Sequence, residues 1–228
     1  MVLKRIAAVV FIWVVFFSAT GAFAAQGVRP GIQLGINYVS LNYEDPMDVW
    51  EPGWRVGYSA GGFIEIPLAT NFSLQPGLRY VQLGNKVDVD IGSEQQEGRL
   101  CGEFKIIQNY LSVPILFKVN LHRSPTLFLL AGPEMGFLMS ARSKESETIE
   151  FESPSFREER STDEDISENL ESSNISLNAG LGIEFEVAAH SLHIQLQYSH
   201  GLTETAKEES WITNWKTREI RTSIGYLF

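Results

Sequence analysis

The chain has 228 residues, one cysteine (Cys101) and a formal charge of −10. Its length fits a single domain, and a lone thiol excludes an intramolecular disulfide or a cysteine-rich metal centre. The acidic balance argues against a nucleic-acid binder, which needs basic surface to displace counterions.

Residues 1–24 read as a cleaved secretory signal. Lys4 and Arg5 supply a positive start, Ile6 to Phe17 is an unbroken apolar run, and Ala22-Phe23-Ala24 fits the small-x-small cleavage pattern. The alternative is an uncleaved anchor, for which the run is short. Residues 25–228 are then expected to form one domain. They contain no run of about 20 apolar residues, so any membrane crossing falls to strands.

Eight segments alternate apolar with polar or small residues, the period of a strand. They are Gly31–Tyr43, Arg55–Leu68, 72–87, 104–120, 126–141, 174–187, 192–200 and 215–228. In the second, Val56, Tyr58, Ala60, Gly62, Ile64 and Ile66 lie on one face, with Arg55, Gly57, Ser59, Gly61, Phe63 and Glu65 on the other. In 174–187, Ile175, Leu177, Ala179, Leu181, Ile183, Phe185 and Val187 oppose Ser176, Asn178, Gly180, Gly182, Glu184 and Glu186. Short connections (Pro67–Asn71, Leu121–Pro125, Ala188–Ser191) alternate with long ones (about 44–54, 88–103, 142–173 and 203–214). That arrangement predicts an all-β, eight-stranded antiparallel up-and-down barrel of the outer-membrane type, with short turns periplasmic and long loops extracellular.

The second face carries Arg55, Glu65, Arg79, Lys118, Glu134, Glu184, Glu186, His193 and Arg221, together with many glycines. In a soluble, lipocalin-like periplasmic barrel this would be the solvent face, where glycine weakens a strand and packs nothing. In a narrow membrane barrel it would be the lumen, where small residues and paired charges fit. Glu65, Glu134, Glu184 and Glu186 would be offset by Arg79, Lys118 and Arg221, because buried charges need partners. Such a lumen is filled by its own side chains, which disfavours a pore. Tyr38, Tyr58, Tyr80, Tyr198, Tyr226 and Phe228 would face outward and supply aromatic girdles. Residues 142–173 hold 11 acidic and 4 basic side chains. Their composition predicts a mobile, solvated loop, with a contact surface for a basic or cation-bridged partner as the alternative; Thr148–Glu152 could extend strand five above the membrane.

The segments Gly31-Ile32-Gln33-Leu34-Gly35-Ile36-Asn37, Gly57 to Gly84, Tyr110 to Lys118 and Ala131-Gly132-Pro133 carry a resemblance. They are similar to the PorT-like outer-membrane β-barrel domain proteins, eight-stranded barrels common in Bacteroidetes. The resemblance covers essentially the whole chain after the signal and implies architecture. It does not imply an activity, although the founding member is tied to a specialised protein-secretion system. Phe228, closing the alternation Thr222, Ile224, Tyr226, looks like the aromatic signal read by the barrel assembly machinery.

No catalytic, cofactor-binding or metal residue is assigned, and no cofactor is expected. An outer-membrane lipid-modifying enzyme would need a serine, a histidine and an acid together at the outer rim. His122 and His190 fall in periplasmic turns, and His193 points into the lumen. His200 lies near Glu204, but its neighbour Ser199 faces the opposite side of the strand. His193 with Glu184 and Glu186 is a weak metal candidate. The expected role is a non-enzymatic, structural or interaction barrel, associated with the envelope or with secretion. Its expected contacts are outer-membrane lipids, the assembly machinery and a protein partner at the extracellular loops. A lipid-modifying enzyme or a small-ligand-binding or transport barrel is the alternative.

Overall fold

In a computed structural model, the residues described are 27–42, 53–92, 98–121, 125–151, 156–205 and 216–228. The expected signal segment and His122 lie outside them. Among the described residues nine strands form: β1 (Arg29–Asn42), β2 (Arg55–Ala69), β3 (Phe72–Gly92), β4 (Gly98–Asn120), β5 (Thr126–Phe151), β6 (Phe156–Asp165), β7 (Ser173–Val187), β8 (His190–Gly201) and β9 (Lys216–Leu227). Each barrel strand pairs antiparallel with its neighbours in the order β4-β3-β2-β1-β9-β8-β7-β5, and β4 pairs with β5 to close the ring. Closure follows from the solvent: hydrocarbon offers backbone groups no hydrogen bonds, so a sheet crossing it can leave no edge unpaired. The first strand meets the last along Gly31↔Leu227 to Asn42↔Lys216. The result is the expected eight-stranded closed barrel of outer-membrane type, with β6 as an addition outside the ring.

The barrel is turned inside out relative to a water-soluble one. Leu34, Ile36, Val56, Phe117, Leu177, Leu181, Leu196 and Ile224 are exposed, whereas Glu65, Arg79, Lys118, Glu134, Glu184, His193, Glu219 and Arg221 are buried. An apolar exterior around a charged interior excludes the soluble lipocalin-like reading. On β7 the outward apolar residues run from Ile175 to Val187. At about 3.3 Å per residue and a tilt near 45°, that run covers roughly 25–30 Å, the height of the hydrocarbon layer. Tyr38, Tyr58, Tyr80 and Tyr198 stand outward near one end of the band. At the other, Tyr226 packs edge-on against Phe228 (ring centroids 5.0 Å) and stacks on His190 (5.4 Å). These are the two girdles. The protein is an integral outer-membrane barrel with its long connections extracellular and its short turns periplasmic.

Two of the expected long loops are largely strand. β3 and β4 continue past the apolar band and pair from Gly84↔Ile107 to Gly92↔Arg99, which replaces most of the connection placed at 88–103. Within 142–173, β5 runs on to Phe151 and pairs with β6 from Arg142↔Asp165 to Phe151↔Phe156. The extension of strand five, expected to begin at Thr148, is therefore longer. The acidic segment is not wholly a loop, because pairing with the projecting β4 and β5 gives its backbone partners that composition cannot reveal. The exit from the barrel is marked by two irregularities at one level. Gly84 has φ +149°, where L-residues are strained. Nearby, the β4–β5 register slips at Asn109/Tyr110. Such bulges redirect strands.

The chain returning from β6 is pinned. Ile166 N–H donates to Ala141 C=O (3.1 Å), Ala141 N–H donates to Ser167 Oγ (2.8 Å), and Glu171 N–H donates to Thr205 C=O (2.9 Å). A 3-10 turn at Ser167–Asn169 lets Leu170 pack into a buried cluster with Ile106 and Ala141, against Phe104, Leu138 and Ile166.

Candidate functional site

Two features are candidates for function: the lumen and the stranded extension above it. The lumen holds two stacked, charge-balanced networks. In the periplasmic half, Lys118 Nζ donates to Glu65 Oε2 (2.8 Å) and is ion-paired with Glu184. Arg29 Nη2 donates to Glu65 Oε1 at 2.7 Å and to Glu184 Oε1 at 3.2 Å. Gln75 Nε2 donates to Glu65 Oε2 (2.7 Å). Lys118 also stands over the Phe128 ring, 4.6 Å from its centroid. Two cations therefore face two carboxylates.

The second network lies toward the exterior. Arg79 is ion-paired with Glu134, with Arg79 Nε donating to Oε1 at 3.1 Å. Asn178 Nδ2 donates to Glu134 Oε2 at 3.0 Å. Arg221 grips Glu219 in a fork, Nε to Oε1 at 2.8 Å and Nη2 to Oε2 at 2.7 Å, and reaches Glu134 at 3.8 Å. Above these charges, Val39, Val81, Leu83 and Tyr110 pack as an apolar plug with Leu138.

The expected neutralisation is therefore present with different membership. Lys118, Arg79 and Arg221 pair with Glu65, Glu184 and Glu134 as expected. Glu186 does not join them: it lies exposed beyond the end of the lumen, opposite Ser191. Arg29 and Glu219 complete the two networks and were absent from the expected set. Arg55, also expected among the lumen charges, is half-buried at the rim, where Nη2 donates to Gln82 Oε1 and Nη1 to the Leu83 carbonyl.

Tight packing leaves little free volume. A methyl group on Gly225 would overlap the His193 ring, so that glycine makes the space His193 occupies. A cavity of about 20 Å³, lined by Gln33, Ser59, Phe63, Gln75, Arg79 and Leu116 among others, has room for about one water.

The histidines separate as follows. His193 is buried between Phe63 (5.6 Å) and Phe128 (6.0 Å), directly across the strand pair from Glu184. Its Nε2 has no hydrogen-bond partner among the described residues. His190 stacks on Tyr226 at the periplasmic end. His200 is outward beside Tyr198, while Ser199 is buried in the lumen, so the two cannot cooperate. Among the described residues no group of three or more His, Cys, Asp or Glu is disposed to hold a metal ion.

The extension is a four-stranded sheet, β3-β4-β5-β6, standing on one side of the barrel mouth. On β4, the carboxylate of Glu103 binds both Lys105 and Lys86, the latter at 2.9 Å. These hydrogen bonds hold the Glu103 carboxyl below the usual carboxylate range. Asp163 of β6 faces Lys144 (3.2 Å) and Arg142 (3.9 Å) of β5. Asp165 accepts from Ser167 N–H at 2.9 Å, and hydrogen bonds from Ser167 lower its pKa.

Comparison with solved structures finds similar barrels at low identity. Ail, the attachment invasion locus protein of Yersinia pestis, is 15% identical, with 88% of this chain and 98% of that chain covered and a TM-score of 0.36. A major outer membrane protein from Thermus thermophilus is 10% identical, covering 88% and 99%, with a TM-score of 0.41. Neisserial surface protein A is 10% identical, covering 87% and 97%, with a TM-score of 0.37. No functionally curated protein matches. The model of the outer membrane protein beta-barrel domain matches residues 23–207, most of the chain, and the chain belongs to that family.

Proposed function

We propose that this is a non-catalytic barrel whose plugged, rigid staves hold the β3–β6 sheet outside the cell as a contact surface for a partner protein. The observation that carries the reading is the contrast between the two candidate features. The lumen is spent on internal charge pairing, whereas β3, β4 and β5 continue well beyond the lipid band to build a sheet that the membrane crossing does not require. A solute channel is disfavoured by the filled interior. Export through the leader at 1–24, followed by a single domain over 25–228, fits this reading. So does recognition of the β9 pattern Thr222, Ile224, Tyr226, Phe228 by the barrel assembly machinery. The sequence segments shared with PorT-like barrels support placement in that group and make an envelope or secretion complex the first place to seek the partner.

The test is site-specific photo-crosslinking in intact cells from Thr162 and Ser146, both exposed on the extension, with lipid-facing Leu181 as control. A discrete protein adduct from the extension positions and none from Leu181 is expected. Stable ion conductance by the purified barrel in planar bilayers, with no adduct at either extension position, would favour the transport alternative and overturn the proposal.

A further inference from the structure

The outward face of β8 and β9 carries a second feature, independent of the extension. Along β9 the lipid-facing residues end at Ile220, whose register partners are Tyr38 on β1 and Tyr198 on β8. The next outward residue is Arg218, which pairs with Ser40 on one side and His200 on the other; Lys216 follows. Arg218 therefore lies two residues, about 7 Å of strand, beyond the last apolar position, at headgroup level.

On the extension, the cations with described side chains have carboxylates. Lys86 and Lys105 share Glu103, while Arg142 and Lys144 face Asp163. Lys216 and Arg218 are exposed and, among the described residues, meet no acidic side chain. At the periplasmic end the outward residues Leu68, Phe72, Leu121, Val187 and Phe228 are uncharged. In a chain of charge −10, the uncompensated cations on the lipid-facing surface, among the described residues, are gathered at one end of β9, beside His200 of β8. Leu177 and Leu202, both more than half exposed, flank His200, and the Tyr198 ring lies nearly parallel to it at 6.4 Å.

We propose that Arg218, Lys216 and His200 form a binding site for the phosphate of a phosphorylated glycolipid in the outer leaflet. The guanidinium of Arg218 offers a planar fork to phosphate oxygens, and the Lys216 ammonium adds a point charge. The outward apolar side chains on the membrane side of these groups, Leu196 and Ile220 among them, would carry the acyl chains. A soluble phosphate would leave that apolar surface unused, which is why a lipid is the better occupant.

The test uses the full folded barrel in a zwitterionic detergent. Binding of a diphosphorylated outer-leaflet glycolipid is measured by thermophoresis, with the enzymatically dephosphorylated lipid and inorganic phosphate as comparison ligands. Heat-modifiable gel mobility verifies folding of every variant. Arg218→Gln and Lys216→Gln should each weaken binding about fivefold, and the pair about 25-fold, as expected for roughly 1 kcal/mol per surface cation. Arg218→Lys should retain most of the affinity, and Lys144→Gln, altering a paired cation on β5, should leave it unchanged. Equal binding of the dephosphorylated lipid, or wild-type affinity in the folded double variant, overturns the proposal. Displacement of the lipid by equimolar inorganic phosphate would also overturn it, by showing that the site takes a free anion.

Discussion

Replacing Lys118 by Met tests whether the lumen is held by charge pairing. Lys118 is 1% exposed and serves two carboxylates, Glu65 and Glu184. Removing one partner of a buried pair costs about 3–5 kcal/mol, since a charge is left without compensation. Arg29 remains within 2.7 Å of Glu65 and 3.2 Å of Glu184, but its side chain is 38% exposed and screened by water. A loss near the lower limit, about 3 kcal/mol, is therefore expected. Methionine preserves much of the volume against Phe128, so a cavity contributes little. Adding Glu184→Gln leaves Arg29 facing Glu65 alone and restores charge balance. The double variant should recover about 1.5 kcal/mol or more relative to additive singles. The assay is urea unfolding of the barrel in lipid vesicles, followed by tryptophan fluorescence. A cost for Lys118→Met below about 1 kcal/mol, or strict additivity with Glu184→Gln, would refute the electrostatic account of the plug.

Other predictions address packing, pH and topology. Gly225→Ala should destabilise the barrel by about 1–3 kcal/mol through overlap with His193, and His193→Ala should relieve most of that cost in the same unfolding assay. Because the Glu103 carboxyl is depressed in the folded extension, its contribution is fully present above its ordinary value of 4.5 and is lost as pH falls through the lowered value. Backbone protection factors in the upper parts of β3 and β4, taken relative to the intrinsic exchange rate at each pH, should accordingly fall on acidification, with a smaller pH response in Lys86→Gln/Lys105→Gln. In a Cys101→Ser background, Ser146→Cys should react with an impermeant maleimide on intact cells. Ala189→Cys, in the β7–β8 turn, should react only after permeabilisation; the reverse pattern would invert the topology.

Most of the barrel is legible in the sequence because period 2 records which side of a wall each residue faces, and the two sides here are hydrocarbon and a charged interior. The same parity could have found Arg29: with Gln33, Gly35 and Asn37 it occupies odd positions, two residues ahead of the expected start of the alternation. Glu219 shares a face with Arg221 for the same reason. Glu186 has lumen parity but falls past the point where the wall ends, and parity alone does not mark that end. The extension is hidden for a different reason. Strands that rise into water on both faces need no apolar alternation, so Arg157, Glu158, Asp163 and their neighbours read as loop until β5 offers them a pairing edge. Arg218 and Lys216 are visible as charges, but their lack of carboxylate partners among the described residues emerges only from the structure, whose register sets Arg218 beside His200.

β5 is one continuous strand of 26 residues. Its portion beyond Phe137, residues 138–151, adds roughly 45 Å of extended chain, or some 30 Å of height at barrel tilt. The described upper ends of β5 and β6, at Phe151 and Phe156, are therefore lifted clear of the bilayer by about the diameter of a small folded domain. On the proposed reading a partner protein would engage these ends without displacing lipid, and shortening the stalk in register-preserving two-residue steps would lower that reach while leaving the strand pairing within the membrane unchanged.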